Sequence, residues 1–545
     1  MRYLLLIIIS ALCSIYNLAY AQTPIWQWVK SANGNHFDIA VRSCTDASGN
    51  LIVAGSYFST PLSFQNNVIN SNGGYDVFIA KYDAAGNEMW IRSFGNVGEE
   101  SVNDIACDGN GNIYLTGTYN NNILFGGDSL LTSNFQYSMF LIKYDSLGNE
   151  IWGKGVRGTS LVNYVVGHSL QCNNSNDVIV IGRFKSQTIL FDSLVVNDIN
   201  NVDVLLAKYN SGGVLQWAQS IGGIMDDWGL GVDCDNLNNI YITGMYGANG
   251  ITIGSFTLPN SGSSDVFLAK LDSAGVAQWA TRGIGASSEV ARSVSVSNNG
   301  DTYITGNFES PILSFGSINI YNNGESAMFI AKYNSLGSVV WAKNSSGPGL
   351  ATGYDIDTYG TNEIYVTGWY DSTFVSFDTT SLISSGGEDV YIAKYNGNGN
   401  LEWVTGPTGN LNERCYGVTA SPNGDITITG MFESSPVEFG SLQLNNTTST
   451  YQDLFIARLS KPTSTAEIIR SSDIIIGPNP SNGVLYVQLP NGIHTLSLSD
   501  VQGRIISNFK GSGTLEIRID SPGLYILKST SGTPFISKVL VVEAH

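Results

Sequence analysis

The stretch DVFIAKYDAAGNEMW, residues 76–90, is the main evidence for the fold, because similar stretches recur along the chain. Similar stretches are DVFLAKLDSAGVAQW at residues 265–279 and DVYIAKYNGNGNLEW at residues 389–403. In the first copy, DVFIAKY alternates with a period of two, and a turn with Asp83 at its start and Gly86 near its end leads into EMWIRSF. Short alternating runs joined by Asp/Gly turns are typical of β-hairpins. The stretch therefore predicts two antiparallel strands.

The repeat period predicts the number of copies. A glycine within motifs such as LTGTY and ITGNF recurs seven times, at intervals of 62 residues except for one interval of 65: Gly55, Gly117, Gly182, Gly244, Gly306, Gly368 and Gly430. The tryptophans of the EMWIRSF strand keep the same period: Trp28, Trp90, Trp152, Trp217, Trp279, Trp341 and Trp403. A strand before the glycine strand brings each copy to four. Four-stranded antiparallel units at a long fixed period predict an all-β fold, a seven-bladed β-propeller.

The phase of the repeat predicts how the ring closes. Residues 23–30, TPIWQWVK, match the tryptophan strand, whereas the last copy ends at residue 460 without one. We therefore expect the N-terminal strand to complete the last blade and to cover the exposed sheet edges. The predicted propeller spans residues 22–460. The connection between the glycine strand and DVFIAKY is longer than a turn, and either a longer strand or a small extra hairpin fits it.

Both ends of the chain differ from the repeat. Residues 1–21 combine Arg2, an apolar run and Ala19-Tyr20-Ala21, which predicts a secretory signal peptide. No later run is long and apolar enough to predict a membrane span. A polar linker at residues 461–473 precedes a tail, residues 474–545, whose short alternating runs predict a small β-sandwich.

The motifs of both regions resemble known families. The repeats resemble bacterial β-propeller repeat proteins with a D-x-x-GN-x-Y-x-TG core and an F-x-x-K strand, a resemblance that implies the fold but no single activity. The tail is similar to the C-terminal sorting domain of the type IX secretion system of Bacteroidetes. The matching residues are Pro478, Asn479, Pro480, Asn482, Gly483, Asp500, Gly503, Arg504, Gly523, Tyr525 and Lys538.

The resemblance of the tail implies a route of export. The signal peptide would carry the chain across the inner membrane, and the sorting domain would engage the type IX secretion machinery at the outer membrane. The product would be secreted, or anchored to the outer-membrane surface after loss of the tail. An ordinary β-sandwich binding module is the alternative interpretation of residues 474–545.

Charge and cysteine content narrow the classes of partner. Without residues 1–21, which hold one cation and no acid, 25 Lys and Arg face 45 Asp and Glu, a net charge of −20. Such a chain repels nucleic acid and anionic membranes. The repeat slot of Cys107, Cys172 and Cys234 also holds Thr, Val or Ala, so we interpret the cysteines as packing thiols rather than as a disulfide framework.

An acidic position is the best candidate binding site. The residue 17 positions before the repeat glycine is a carboxylate in five copies, and Val165 and Ala351 take its place in the others. The five are Asp38, Glu100, Asp227, Glu289 and Glu413. We expect them in an interrupted ring near the mouth of the channel, where they either bind a cation or a basic or hydroxyl-rich ligand, or accept backbone N–H groups and fix their own loops. Ca²⁺ is the candidate cofactor; otherwise none is predicted.

The predicted function is a secreted or surface-attached, non-enzymatic binding or adhesion scaffold for a glycan or protein. Trp228, beside Asp227, either stacks on a sugar ring or packs against the next blade. A carbohydrate-acting enzyme with carboxylates on the channel face is the alternative function, and a structural component is a third. No catalytic residue is assigned, because His36 and His168 occupy unrelated repeat positions. The recurring Lys81 is expected to be scaffold, with its ammonium group beside a turn aspartate.

Overall fold

In the computed structural model, the structure describes residues 24–460 except 133–135, 161–163, 192–193, 198–200, 372, 447 and 449. In the tail it describes residues 475–477, 484–488, 494–500, 504–512, 514–519, 521, 523–531 and 536–541. The predicted signal peptide and linker lie outside the described residues. The chain divides into two compact units, residues 1–462 and 463–545.

All regular elements of the described part of the first unit are β-strands. Those of its first half are β1 (Trp26–Lys30), β2 (Asp38–Thr45), β3 (Leu51–Tyr57), β4 (Leu62–Ser63), β5 (Val68–Ile69), β6 (Asp76–Tyr82), β7 (Glu88–Phe94), β8 (Glu100–Cys107), β9 (Ile113–Tyr119), β10 (Ile123–Phe125), β11 (Asp128–Leu130), β12 (Ser138–Tyr144), β13 (Glu150–Gly158), β14 (Tyr164–Cys172), β15 (Val178–Lys185), β16 (Thr188–Phe191), β17 (Leu194–Asn197), β18 (Asp203–Tyr209), β19 (Leu215–Gly223), β20 (Asp227–Cys234) and β21 (Ile240–Gly247).

The second half continues the same pattern. Its strands are β22 (Ile251–Ile253), β23 (Phe256–Leu258), β24 (Ser264–Leu271), β25 (Ala277–Ile284), β26 (Glu289–Val296), β27 (Thr302–Phe308), β28 (Ile312–Phe315), β29 (Ile318–Tyr321), β30 (Ala327–Tyr333), β31 (Val339–Ser346), β32 (Ala351–Tyr359), β33 (Glu363–Tyr370), β34 (Phe374–Phe377), β35 (Thr380–Ile383), β36 (Asp389–Asn396), β37 (Leu401–Thr405), β38 (Glu413–Ala420), β39 (Ile426–Phe432), β40 (Val437–Phe439), β41 (Leu442–Leu444) and β42 (Asp453–Leu459).

These strands form a seven-bladed propeller, which confirms the predicted fold. Each blade is an antiparallel sheet of four long strands in sequence order, for example β8-β9-β12-β13 and β20-β21-β24-β25. Consecutive first strands contact one another around the ring, and β38 contacts β2, so the first strand of each blade is the innermost. In the last blade, the order β38-β39-β42-β1 supplies the outermost strand from the N-terminus. The predicted closure of the ring is therefore confirmed.

The long connection in each copy contains a small hairpin. In blade three, β16 and β17 form it, and β16 pairs with β13, the outermost strand of blade two, through Arg157↔Leu190 and Gly158↔Ile189. The same pairing joins β22 to β19, β28 to β25, and β34 to β31. Because these four hairpins add to the sheet of the preceding blade, they partly cover edges that would otherwise be open, whereas β4-β5, β10-β11 and β40-β41 form separate two-stranded sheets.

The recurring Trp and Lys bind neighbouring blades together. Trp152 Nε1 and Lys143 Nζ both donate to the carbonyl oxygen of Ser211 in the next blade, at 3.2 and 2.8 Å. Lys81 Nζ lies 2.9 Å from Asp46 Oδ2, which stands in the first turn of its own blade. Equivalent ion pairs join Lys208 to Asp177, Lys270 to Asp235, Lys332 to Asp301, Lys394 to Glu363 and Arg458 to Asp425. The repeated cation is scaffold and lies beside a turn carboxylate, as expected.

The turn glycine after DVFIAKY also belongs to this seam, and we expect its substitution to be costly. Gly86 has φ +81°, and a Cβ there would lie 2.9 Å from the Trp28 ring. Gly127 has nearly the same φ, +84°, but nothing lies within 4 Å of its Cβ position. Gly86→Ala should therefore lower the free energy of unfolding by about 1–3 kcal/mol more than Gly127→Ala, in urea denaturation. Equal losses would show that the Trp28 contact carries no energy.

One cysteine prediction is wrong. Cys44 and Cys107 form a disulfide that joins the innermost strands of blades one and two, whereas Cys172, Cys234 and Cys415 are free thiols. Cys44 lies one residue before the position in its repeat that is equivalent to Cys107. Alignment of the repeats therefore does not place the two cysteines at the same position. The ring brings their strands side by side although they are 63 residues apart in sequence.

The described part of the second unit has two sheets, β43-β44-β47 and β46-β45-β48-β49. Its strands are β43 (Ile475–Gly477), β44 (Val484–Gln488), β45 (His494–Asp500), β46 (Ile505–Gly511), β47 (Thr514–Arg518), β48 (Gly523–Ser531) and β49 (Ile536–Val541). Val487 and Ile517 from the first sheet and Leu496, Leu498 and Leu527 from the second share one core. The predicted small β-sandwich is confirmed.

Candidate functional site: the channel mouth

The five predicted acids occupy equivalent places, each as the first residue of an innermost strand. Asp38, Glu100, Asp227, Glu289 and Glu413 begin β2, β8, β20, β26 and β38. All five are at most 1% exposed. They stand at one end of the channel, opposite the turn carboxylates, but inside the seams between blades. Because of this burial, a ligand at the channel mouth would contact the side chains around the acids rather than the acids themselves.

The hydrogen bonds of these acids stay close to their own loops. Ser59 Oγ donates to Asp38 Oδ2 at 2.6 Å, and Ser310 Oγ donates to Glu289 Oε1 at 2.5 Å. The backbone N–H of Gly223 donates to Asp227 Oδ2 at 2.6 Å. These contacts match the second interpretation, in which the carboxylate holds its loop against the blade.

Each acid also faces a second carboxyl group, an aspartate at the first or second position of the third strand of the preceding blade. A Cβ built on Gly95 would lie 2.0 Å from Asp76 Oδ1 and 2.8 Å from Glu100 Oε2, so both groups border one point. Burial, and to a smaller extent the charge of Asp76, raise the pKa of Glu100 to about 7. Burial likewise raises the pKa of Asp76 to about 6. A close pair of buried carboxyls is stable when it holds a proton.

The repeats lose both members of this pair together. The pairs are Asp76 with Glu100, Asp203 with Asp227, Asp265 with Glu289, Asp389 with Glu413, and Asp453 with Asp38. In the other two seams, neither position of the pair is acidic. Ser138 and Val165 occupy the two positions in one seam, and Ala327 and Ala351 occupy them in the other. An acid is therefore present only where its partner is present, which explains both exceptions in the predicted ring. Comparison of the acidic position of each repeat with the aspartate position of the preceding repeat would have detected this joint loss from the sequence.

Other carboxylates lie deeper in the channel, and neighbouring strands hold them as well. A cavity of about 270 Å³ is lined mainly by the innermost strands. The backbone N–H groups of Val296 and Ala420 each donate to a channel aspartate at 2.7 Å, respectively Asp233 and Asp357. Arg42 forms an ion pair with Asp355. Within the described residues, no group of three or more His, Cys, Asp or Glu side chains is arranged to hold a metal ion.

Each innermost strand has a β-bulge at its fourth position, counted from the acid position. The type of residue at the bulge differs among the blades, and this difference breaks the symmetry of the ring. The ladder skips this residue in all seven blades: Val41, Asn103, His168, Leu230, Arg292, Tyr354 and Tyr416. A bulge redirects a side chain out of the regular alternation. Leu230 and Arg292 line the channel cavity. The fold thus offers seven redirected side chains around the channel, of six residue types.

Arginine and aromatic side chains gather at this level. The Arg183 guanidinium carbon lies 3.6 Å from the ring centroid of Trp228 and 5.8 Å from that of Tyr164. Arg292 lies 5.4 Å from the ring centroid of Tyr354. His168 belongs to the same group, because burial and the charges of Arg183 and Arg292 lower its pKa to about 3. We call these six residues the arginine–aromatic cluster: Tyr164, His168, Arg183, Trp228, Arg292 and Tyr354.

Several nitrogen atoms of the arginine–aromatic cluster are buried without a partner. Arg183 Nε and Nη1, Trp228 Nε1 and His168 Nε2 have no hydrogen-bond partner in the part of the chain that the structure describes. A comparable pair elsewhere is complete: Arg414 stacks on Trp369 at 4.9 Å, and its Nη2 donates to Glu388 Oε1 at 2.5 Å. Sequence reasoning named Trp228 but missed Arg183, although Arg183 fills a slot that Ser, Thr, Met, Asn or Trp occupies in the other repeats.

The comparisons assign the tail. Residues 476–543 match the family model described as the secretion system C-terminal sorting domain. The tail is a C-terminal sorting domain. It indicates export by the type IX machinery to the cell surface or the extracellular space. Among the described residues, no helix has the length and apolar character needed to span a membrane.

The structure describes only some of the sorting-motif residues. Tyr525 on β48 is buried, and its hydroxyl donates to the carbonyl oxygen of Ser521 at 2.8 Å. Asp500 ends β45, Gly523 begins β48, Lys538 lies on β49, and Arg504 immediately precedes β46. The other motif residues lie outside the described residues: Pro478, Asn479, Pro480, Asn482, Gly483 and Gly503.

The propeller has only distant relatives among those compared. A WD repeat-containing protein of Acanthamoeba polyphaga mimivirus is 22% identical over 469 residues, 71% of this chain. The matched region spans about a third, 34%, of that relative. Among solved structures, a protein of unknown function from Dyadobacter fermentans has a TM-score of 0.34 at 8% identity, covering 80% of this chain and 98% of its own.

Two further solved structures are similar at the same low level. The NanB sialidase of Streptococcus pneumoniae has a TM-score of 0.34 at 10% identity, with 83% of this chain and 73% of that chain covered. PorZ, a surface component of the type IX secretion system of Porphyromonas gingivalis, has a TM-score of 0.21 at 9% identity, with 94% and 100% covered. At these scores the likenesses carry no argument about function.

Proposed function

We propose that the propeller is a non-catalytic binding module, exported by its sorting domain, whose ligand contacts the mouth of the channel. The observation that carries the proposal is the break in symmetry at the bulges. The glycine, tryptophan and basic positions recur in all seven copies, as the seams between blades require, whereas the bulge position holds six residue types. A position that the fold leaves free to vary, and from which Leu230 and Arg292 line the central cavity, suits recognition of one asymmetric ligand.

The character of the mouth favours a glycan over a protein as the ligand. Tyr354 and Tyr416 meet edge to face at 5.2 Å. Trp228 stands on the seam between blades three and four and Trp369 on that between blades six and seven, each with an arginine stacked on it. Aromatic faces beside hydrogen-bond donors match the alternating apolar and hydroxyl surfaces of a sugar ring. The carbohydrate-acting alternative is less well supported, because its carboxylate pair must reach the substrate and the five acidic-ring carboxylates are buried.

A glycan array probed with the full chain tests this proposal. We expect bound glycans whose affinity falls about tenfold or more in Trp369→Ala and in Tyr416→Ala, since each variant removes an aromatic face. Tyr321→Ala is the matched control, because Tyr321 is 56% exposed on β29 in the outer hairpin of a blade. Loss of binding in Tyr321→Ala alone, or hydrolysis of the bound glycan, would contradict the proposal.

A further inference from the structure

We propose that the arginine–aromatic cluster binds the carboxylate of an acidic sugar residue, with Arg183 and Arg292 as the anion-binding groups. This inference rests on the proposed binding function and specifies its ligand. Its central pair, Arg183 and Trp228, lies on the seam between blades three and four, whereas Trp369 lies on the seam between blades six and seven, so that the two proposals can fail separately.

Unsatisfied donors supply the first reason. Arg183 Nε, Arg183 Nη1 and Trp228 Nε1 can only donate hydrogen bonds, and all three are buried without an acceptor among the described residues. Buried donors in proteins are nearly always paired, so the cluster is suited to a group that brings several acceptor oxygens. A carboxylate offers two oxygens that match the fork of a guanidinium.

Charge supplies the second reason. Arg42 and Arg414 each form an ion pair with a carboxylate, Asp355 and Glu388 respectively. Arg292 Nε instead donates to the neutral amide oxygen of Asn307 at 3.1 Å, and Arg183 makes no ion pair with a described residue. The charge of Asp226 favours the protonated form of Arg183 and so acts to raise its pKa, but the carboxylate of Asp226 accepts its hydrogen bond from Asn201.

The remaining titratable member does not cancel this charge. His168 is held neutral at physiological pH by burial and by the two nearby guanidinium groups, which lower its pKa to about 3. The cluster therefore keeps two permanent positive charges and can add a hydrogen bond from or to His168 Nε2. A single anionic group between Arg183 and Arg292 would neutralise part of that charge.

The rest of the molecule restricts the form of the ligand. The rings of Trp228, Tyr164 and Tyr354 lie around the two arginines and offer contact to a sugar ring as well as to its anionic group. The chain as a whole carries a net charge of −19, which repels a long polyanion. A terminal residue with one carboxylate, on an otherwise neutral glycan, satisfies both conditions.

Calorimetric titration of the full chain with two matched glycosides tests the inference. Methyl β-glucuronide carries a carboxylate where methyl β-glucoside has a hydroxymethyl group. We expect the glucuronide to bind at least about tenfold more tightly, and Arg183→Met and Arg292→Met each to weaken it by about 10- to 100-fold. Arg183→Lys, which keeps the charge without the fork, should lie between wild type and Arg183→Met.

Arg92→Met is the matched control. Arg92 also stacks on a tryptophan, Trp90 at 5.3 Å, but its Nε donates to the carbonyl oxygen of Gly148 on the outer side of the blade. Its affinity for the glucuronide should equal that of wild type. Circular dichroism checks each variant for folding, and Arg183→Gln replaces Arg183→Met if the latter unfolds.

The possible outcomes separate the claims. Equal affinity for both glycosides, or full binding in Arg183→Met, overturns the carboxylate site. Inorganic sulfate bound as tightly as the glucuronide overturns the sugar component. If the glucuronide fails to bind while a neutral glycan binds in a Trp369-dependent manner, this inference falls and the proposed function stands. If no glycan binds at all, both fall.

Discussion

Deletion of residues 22–31 is expected to lower the free energy of unfolding of the propeller by at least about 5 kcal/mol. The deletion removes β1, whose Trp26 is buried and meets Phe439 edge to face at 5.1 Å. Loss of one buried tryptophan costs about 3–5 kcal/mol, and the exposed edge of β42 adds unpaired backbone groups. Denaturant unfolding measures the loss, and size-exclusion chromatography detects association through the open edge.

The loss should be specific to the closing strand. Ile25→Ser is the control, because Ile25 is 73% exposed immediately before β1 and its substitution should leave the unfolding midpoint unchanged. A synthetic peptide of residues 22–31, added in excess, should restore part of the lost stability. An unchanged midpoint in the deletion variant would mean that the other six blades hold the ring without closure.

The propeller is expected to be more stable near about pH 5 than near about pH 8. Burial raises the pKa of Asp38, Glu100, Asp227 and Glu289 to about 7, above ordinary values of 3.8 or 4.5. Between these values the folded chain binds more protons than the unfolded chain, so stability falls as pH rises from about 4 to about 7 and then levels off. The five pairs together should cost at least about 3 kcal/mol over this window.

A double variant isolates one pair. Asp76→Ser with Glu100→Val installs the residues that the chain itself uses at Ser138 and Val165. It should reduce the pH dependence of the unfolding free energy by less than one fifth, without a loss at about pH 8, because burial also raises the pKa values of Asp104, Asp233 and Asp357 in the channel. Glu325→Gln, at an exposed carboxylate, is the control. A wild-type chain that becomes more stable as pH rises, or a double variant with the wild-type slope, would show that the pairs are not protonated in the folded state.

Much of the architecture follows from the sequence because the information is local and repeated. Alternation in DVFIAKY defines a strand, Gly86 and its equivalents define tight turns, and seven equal periods define seven blades. The unmatched tryptophan strand around Trp28 predicts closure, since only a ring brings it next to the last copy. The order of Pro478, Asn479 and Asp500 similarly identifies the tail by local spacing.

The tertiary structure alone decided how neighbouring copies meet. The Cys44–Cys107 disulfide, the pairing of β16 with β13, and the carboxyl pairs such as Asp76 with Glu100 all cross a seam between two blades. Each depends on how closely the ring packs adjacent strands, which no single copy specifies. Burial in those seams favours a scaffold role for the acidic position. The bulges redirect the fourth residue of each innermost strand and bring Arg292 to the channel. A candidate site containing Arg183 and Arg292, more than a hundred residues apart, could therefore be recognised only after the ring had closed.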